Sequence, residues 1–328
     1  MKRIYNFMIE FFFFLKRYIR FIIFELQSIP TVFLCLFYSL KRKKYIIVSA
    51  WCRYKLFYFF RKDKIIHNNW GDDINVYFLE MISKKKVLVY PTTRIATYIS
   101  KIINVKKNAF IGSILTDYSL NNATVIGSGV LNDKQCNIIK GSPDDVLFVR
   151  GPLSRQILLK NGIDCPQLYG DPALLIPYFY VPKIKENYKI GLIPHYQDYD
   201  SKIVIDILKQ NKDDVIFIKM RDYSLWTDVI DEIVSCDFII SSSLHGLIVS
   251  EAYKIPSVWV HFNKYIEGWD FKFYDFYHSI DKIEIKPVVI DSSTQIWDLY
   301  NQKANWRQGE IDCTELIKLC ENIGFIVK

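Results

Sequence analysis

The sequence predicts an α/β fold in two halves, preceded by a segment of different character. Three observations predict it. Short apolar runs alternate with helical stretches from Tyr45 to Ile290, the pattern of a parallel sheet. Loops carrying Gly, Ser, His and Asp follow many of these runs directly, at the place where open α/β sheets bind ligands. At 328 residues, half of them apolar, the chain is long enough to bury two cores.

The preceding segment spans residues 1–44. Two strongly apolar stretches, Phe7–Leu15 and Phe21–Leu40, are separated by Lys16, Arg17 and Arg20, and no small-residue cleavage site follows Leu40. Basic clusters flank both stretches (Lys2-Arg3, Lys16-Arg17-Arg20, Lys41-Arg42-Lys43-Lys44), so the expectation is two helices lying on an anionic membrane surface. Residues 21–40 are also long enough for a single span. The charge is localised here: residues 1–64 hold 14 Lys/Arg against three acids, whereas the remainder holds 29 against 32. This distribution excludes a nucleic-acid-binding core and points to an anionic partner at the amino end. The seven cysteines are scattered without a Cys-x-x-Cys pair or a His at ligand spacing, so neither a disulfide framework nor a metal site is expected.

The first half, residues 45–180, opens with strands at Tyr45–Ala50 and Leu56–Phe60. Next comes His67-Asn68-Asn69-Trp70-Gly71-Asp72-Asp73, then a periodic apolar run to Ile82, so Asp72 or Asp73 is expected to cap a helix. Strands follow at Val87–Tyr90, Ala109–Ile111 and Thr124–Ile126, with a helix near Ile95–Ile103. Gly112-Ser113 and Gly127-Ser128-Gly129 leave two of these strands, where glycine lets a backbone turn tightly or approach a ligand closely. Strand Val146–Val149 delivers Arg150-Gly151-Pro152 into a helix ending at Gly162. An arginine in that position is suited to a carboxylate or phosphate. Asp171 follows at another strand end, and Pro177–Asn187 reads as the linker.

The second half, residues 181–291, repeats the alternation. It comprises strand Lys189–Ile193, the loop bearing His195, helix 201–209, strand Val215–Lys219, the loop bearing Arg221, and helix 226–234. The most informative stretch is 235–260. There strand Phe238–Ile240 enters Ser241-Ser242-Ser243-Leu244-His245-Gly246, helix Leu247–Tyr253 ends before Pro256, and strand Val258–Val260 follows. A loop at a strand's carboxyl end with a helix start behind it is an anion site. Strand Pro287–Ile290 closes the sheet, and residues 292–328 carry terminal helices at Gln295–Gln302 and Thr314–Asn322.

Six stretches taken together resemble the polysaccharide pyruvyl transferase family. They are Asn69-Trp70-Gly71-Asp72-Asp73, Ile126-Gly127-Ser128-Gly129, Val149-Arg150-Gly151-Pro152-Leu153-Ser154, Tyr169-Gly170-Asp171-Pro172-Ala173-Leu174-Leu175, Ile193-Pro194-His195-Tyr196 and Ser242-Ser243-Leu244-His245-Gly246. They cover residues 65–262, and Ser128 stands where many relatives carry a third glycine. The resemblance implies a GT-B-like fold, two Rossmann-like domains facing a cleft. It also implies transfer of pyruvate from phosphoenolpyruvate to two hydroxyls of one sugar as a cyclic ketal, on a lipid-linked or oligosaccharide acceptor. The basic, apolar segment 1–44, which lies outside the resemblance, gives the expectation of a cytoplasmic enzyme, peripheral at the inner face of the bacterial cell membrane. In the family, the residues at Arg150 and His245 are associated with phosphoenolpyruvate.

The chemistry assigns the remaining candidates. A trianionic donor needs convergent cations and amides, for which Arg150, Arg221, Ser243, His245 and Gly246 are expected. Ketal formation needs an acid for the methylene carbon and a base for the hydroxyls, for which His245, Asp72 and Asp171 are the candidates. Asn69, Asp73, Gly127, Gly129 and His195 are expected on the acceptor side or along the cleft. No cofactor and no metal are required. The alternative on the same architecture is a nucleotide-sugar glycosyltransferase of surface polysaccharide synthesis, since fold alone does not choose the donor.

Overall fold

A computed structural model of the chain describes residues 2–54, 65–91, 93–99, 101–116, 119–135, 139–184, 186–262 and 270–327. The chain opens with a single helix, α1 (Lys2–Ser39), continuous through Pro30. The two helices expected here are therefore joined. Lys and Arg are good helix formers, and a basic cluster without glycine or proline does not interrupt a helix.

The first sheet is built from β1 (Tyr45–Ser49), β4 (Lys86–Tyr90), β5 (Lys107–Ala109), β6 (Ala123–Ile126) and β7 (Asp145–Phe148). All its pairs are parallel, in the order β4-β1-β5-β6-β7. Between its strands lie a small antiparallel pair, β2 (Arg53–Tyr54) with β3 (Ile65–Ile66), and the helices α2 (Trp70–Ser83) and α3 (Arg94–Ile99). Helix α4 (Pro152–Lys160) follows the last strand. The strand expected at Leu56–Phe60 lies outside the described residues. The strand expected at Ala109–Ile111 ends at Ala109, and Phe110 and Ile111 are instead buried in the loop beyond it.

A 3₁₀ helix (Pro172–Tyr178) leads to the second sheet. Its elements are β8 (Tyr188–Ile193), α5 (Lys202–Gln210), β9 (Val215–Phe217), α6 (Trp226–Val234), β10 (Cys236–Ser241), α7 (Leu244–Ala252), β11 (Ser257–His261), α8 (Phe271–Ser279) and β12 (Val288–Val289). The strands are parallel in the order β12-β11-β10-β8-β9. Two parallel five-stranded sheets with helices between their strands make the fold α/β, as the alternation predicts.

Helix α8 has no counterpart in the sequence reading. Its run Phe271-Lys-Phe-Tyr-Asp-Phe-Tyr-His-Ser279 is aromatic, and aromatic residues favour strands. Burial of Phe273, Phe276, Tyr277 and Ile280 at helical spacing overrides that preference. Phe273 stacks on Trp259 at 4.6 Å between ring centroids, which fixes the helix against β11.

The chain then returns to the first sheet. After α9 (Ile296–Asn301), helix α10 (Thr314–Asn322) and the residues beyond it pack there. Phe325 meets Phe110 edge-on at 5.7 Å, and the Val327 amide donates to Ile82 O at 3.0 Å.

Helix α1 presents two faces to different surroundings. Val32 and Cys35 are completely buried against Ile47, Leu88, Tyr90, Ala96 and Val105. Two turns before Val32, the Glu25 carboxylate accepts from the amides of Arg94 (3.1 Å) and Ile95 (3.0 Å), and so caps α3 from outside that helix. Phe11, Leu15, Tyr18, Leu26, Phe33 and Phe37 are exposed and, spaced by three or four residues or multiples of it, form an apolar stripe that Phe14, Ile19, Phe21, Ile22, Ile23 and Leu34, also exposed, widen around the helix.

Candidate active site

The loops at the carboxyl ends of both sheets line one cleft of about 160 Å³. Trp51, Asn69, Asp72, Gly112, Ser113 and Leu131 come from the first half; His195, Tyr196, Met220, Ser243, Leu244, His245 and Lys272 come from the second. The structure thus brings together Asn69, Asp72, His195, Ser243 and His245 from among the sequence candidates.

Helix α2 sets the first wall. Its cap is Asn69 rather than either aspartate: Asn69 Oδ1 accepts from the Gly71 amide at 3.3 Å, while Nδ2 donates to Asp72 Oδ2 at 2.6 Å. Asn69 has the extended backbone that a cap requires, which leaves Asp72 one turn inside, aimed at the cleft. Behind it the buried Asn75 accepts from the Ile111 amide (2.9 Å) and donates to Ile111 O (2.9 Å) and Asp72 O (3.0 Å). One side-chain amide therefore fixes the helix start to the loop that carries Gly112 and Ser113.

The second wall is the start of α7. Ser241 Oγ accepts from the Ser243 amide at 3.0 Å, and a Cβ at Gly246 would stand only 2.7 Å from that oxygen. Gly71 makes the matching allowance opposite, since a Cβ there would lie 2.0 Å from His245 Nδ1. The Trp-Gly-Asp and Leu-His-Gly stretches, far apart in sequence, are shaped to one another. His245 Nε2 is buried without a hydrogen-bond partner in the protein. Burial, reinforced by the cations of Lys272 and Arg150, pushes its pKa down to about 3, so the imidazole is neutral. His195 is likewise pushed down to about 4 by burial and Lys272, and its amide donates to Ser242 Oγ at 2.7 Å.

Arg150 is completely buried, and all three of its nitrogens donate inside the protein. Nε and Nη2 reach Asp275 Oδ2 at 3.0 and 2.9 Å, Nη2 also reaches Val130 O at 2.6 Å, and Nη1 reaches Ser113 Oγ at 2.5 Å. The Ser154 amide (2.8 Å) and hydroxyl (2.6 Å) complete the shell around Asp275. Gly129 and Gly151 are needed here for space. A Cβ on the first would lie 2.4 Å from Arg150 Cζ, and on the second 1.9 Å from Asp275 O. The Arg-Gly-Pro-Leu-Ser stretch thus grips a carboxylate of the protein's own helix α8. Its guanidinium meets the lining of the cleft at Ser113.

Other candidates also stand behind the cleft. Asp73 is buried, accepts from Tyr223 Oη at 2.8 Å, and has its pKa raised to about 7 by burial. Asp171 caps the 3₁₀ helix through the Ala173 amide (2.9 Å), with its Oδ2 lacking a partner and its pKa raised to about 6 by burial. Gly127 turns at φ +86° beneath Pro172. Arg221 flanks the rim, its guanidinium carbon 5.6 Å from the centre of the Tyr196 ring.

Lys272, Ser113 and Trp51 line the cleft without having been singled out in the sequence. Lys272 belongs to the unforeseen α8. Burial and Arg150 push its pKa down to about 8, against the opposing pull of Asp72 and Asp270. Among the described residues no three His, Cys, Asp or Glu side chains are grouped as a metal ion requires.

Comparison with known proteins gives a family and two relatives. The model of the family described as polysaccharide pyruvyl transferase matches residues 12–261. The chain is 28% identical over 236 residues to an uncharacterized protein of Acanthamoeba polyphaga mimivirus, covering 66% of this chain and 74% of that protein. It is 27% identical over 200 residues to the succinoglycan biosynthesis protein ExoV of Rhizobium meliloti (strain 1021), covering 58% of this chain and 55% of that protein.

Proposed function

The chain belongs to the polysaccharide pyruvyl transferase family, and from that premise we propose that it moves pyruvate from phosphoenolpyruvate onto two hydroxyls of one sugar in a lipid-linked precursor. The reaction adds a proton to the donor's methylene carbon and forms two bonds from sugar oxygens to the neighbouring carbon. It breaks that carbon's bond to the phosphate oxygen, so inorganic phosphate leaves and the two hydroxyl protons are released. The two sheets correspond to the two domains of a GT-B-like enzyme.

The observation that carries this reading is the meeting of Asp72 and His245 in one cleft, each held by its own loop. His245 is neutral in the empty cleft and its Nε2 has no partner in the protein, so that nitrogen is open to a reactant. A trianionic donor beside it raises its proton affinity, so that the same imidazole can carry the proton required at the methylene carbon. Asp72, fixed by Asn69, orients or deprotonates the second hydroxyl. Ser243 and the amides at the start of α7 face the donor's negative charge. Arg150 acts from behind by holding Ser113.

Helix α1 supports a site of action at the membrane surface. It is long and apolar enough to cross a bilayer, yet its Glu25, Ser28, Thr31 and Ser39 are buried against the body, a face that lipid does not surround. We read it as lying in the surface of an anionic leaflet, with its exposed stripe inserted and Lys41–Lys44 on the headgroups.

Incubation of the full-length protein with phosphoenolpyruvate and a panel of lipid-linked saccharides tests the reaction. Phosphate release together with the mass gain of one ketal-linked pyruvate is expected. Turnover of a nucleotide sugar in place of phosphoenolpyruvate would overturn it.

A further inference from the structure

A larger cavity, of about 380 Å³, lies at the end of the first sheet opposite the candidate active site. Tyr45, Lys107 and Thr124 line it at the amino ends of β1, β5 and β6, whereas the active-site loops leave the carboxyl ends. Two segments far apart in the chain close it: Ser39 and Arg42 at the end of α1, and Ile323 and Phe325 after α10. Among its described lining residues Arg42, Lys85, Lys106 and Lys107 are basic, and the one acid, Asp144, is paired with Lys106. We propose that this cavity binds the phosphate of an anionic lipid headgroup, an inference that rests on α1 lying in the membrane surface and not on the identity of the pyruvate donor.

Lys107 points most directly to an anion. It is only 2% exposed; its ammonium donates to Asn121 O and stands 5.0 Å from the centre of the Tyr90 ring. Burial draws its pKa down to about 8 against the opposing pull of Asp144. A cation enclosed in this way, with no carboxylate bonded to it among the described residues, destabilises the fold by its desolvation, and an arriving anion offsets that cost. Lys85 is held at the cavity by donating to Gly324 O at 2.8 Å, which also ties the wall formed after α10 to the start of β4. An ammonium has three N–H donors, so Lys85 and Lys107 each keep hydrogens for phosphate oxygens. Arg42, exposed on the basic turn after α1, offers a planar fork for the same group.

Placement and size favour a lipid. Phe37 of the exposed stripe lies five residues before Arg42, so the apolar face of α1 and the cavity share one helix end. The volume exceeds what a bare phosphate fills and falls in the range of small-molecule sites. The buried Ile46, Ile47 and Phe325 in its lining suit the glycerol carbons that a headgroup carries beside its phosphate.

Flotation of the full-length protein with phosphatidylcholine vesicles, with and without phosphatidylglycerol, tests the site. Lys43 is the control, exposed like its neighbour Arg42 but outside the described lining. Bulk charge alone predicts that Arg42→Gln and Lys43→Gln each weaken partitioning into anionic vesicles by about fivefold. A phosphate site predicts a loss of at least about 30-fold for Arg42→Gln and for Lys107→Met, beside about fivefold for Lys43→Gln. Isothermal titration with glycerol 3-phosphate separates the sources. Binding that Lys107→Met abolishes, while flotation of that variant is unchanged, assigns the cavity to a soluble phosphate ester and overturns the lipid. A wild type that floats, with Arg42→Gln equal to Lys43→Gln and Lys107→Met within threefold of wild type, overturns the site and leaves the membrane reading of α1 standing. A wild type that does not float with anionic vesicles overturns both. Should Lys107→Met fail to fold, the contrast between Arg42→Gln and Lys43→Gln decides the question alone.

Discussion

Gly71 and His245 are in such close register across the cleft that no other residue fits the first without moving the second: a Cβ at Gly71 would lie 2.0 Å from Nδ1 and 2.4 Å from Cε1 of the imidazole. The glycine lies on a helix of the first half and the histidine on a helix of the second. Gly71→Ala should therefore displace the imidazole while α2 tolerates, and even favours, alanine. A loss of at least about 100-fold in kcat/KM is expected, with a melting curve close to that of the wild type. Steady-state phosphate release and circular dichroism check this, and an active Gly71→Ala enzyme would remove His245 from the reaction.

The Arg150–Asp275 pair should dominate stability more than ligand binding. Asp275→Ala leaves a guanidinium with no exposed surface without its carboxylate, which costs about 3–5 kcal/mol. Replacing both partners, as in Arg150→Met with Asp275→Leu, should recover most of that loss. Denaturant titration of the four members of the double-mutant cycle measures the coupling.

Stability should fall as pH rises through the weakly acidic range. The Asp73 carboxyl is buried, and its pKa moves from the usual 3.8 up to about 7, so the folded protein holds a proton there that the unfolded chain has released. Its favourable contribution is complete below about pH 4 and is lost between there and pH 7. Asp171, raised to about 6, adds to the same slope. Asp73→Asn still accepts from Tyr223 and should be more stable than wild type at pH 8, by a margin that vanishes near pH 4. Thermal denaturation across that range tests it, and a margin unchanged by pH would refute the cause.

Exposed residues of α1 should control membrane binding without affecting the fold. Phe33 and Phe37 are each about half exposed and lie on the apolar stripe. Phe33→Glu with Phe37→Glu should abolish flotation with vesicles containing anionic lipid and leave the melting temperature within a few degrees of wild type. Removal of residues 1–44 should instead expose Ile47, Leu88, Tyr90, Ala96 and Val105, which Val32 and Cys35 cover, and yield unstable protein.

Much of this arrangement can be read in the sequence because its signals are local. Strand-then-loop punctuation around Ser241–Gly246 and Asn69–Asp73 locates both walls of the cleft, and period-2 or apolar runs locate the strands. What cannot be read is pairing at a distance. Nothing within Val149–Ser154 shows that its arginine is satisfied by Asp275, 125 residues later. An unpaired arginine at a strand end is indistinguishable from one awaiting a ligand. Helix α8 is hidden because its aromatic composition argues locally for a strand, and only the spacing of Phe273, Phe276, Tyr277 and Ile280 gives the helix away. Lys272 was missed for the same reason.

The clamp on Asp275 also limits how the enzyme can breathe. Helix α8 is bracketed by strands of the second sheet but is bound by Arg150 and Ser154 of the first, so swinging the halves apart would strip a buried ion pair. At about 3–5 kcal/mol, such an open form is populated by fewer than about one molecule in a hundred. The closed arrangement of the two halves is therefore the resting one, with Arg150 and Ser154 as the latch on α8.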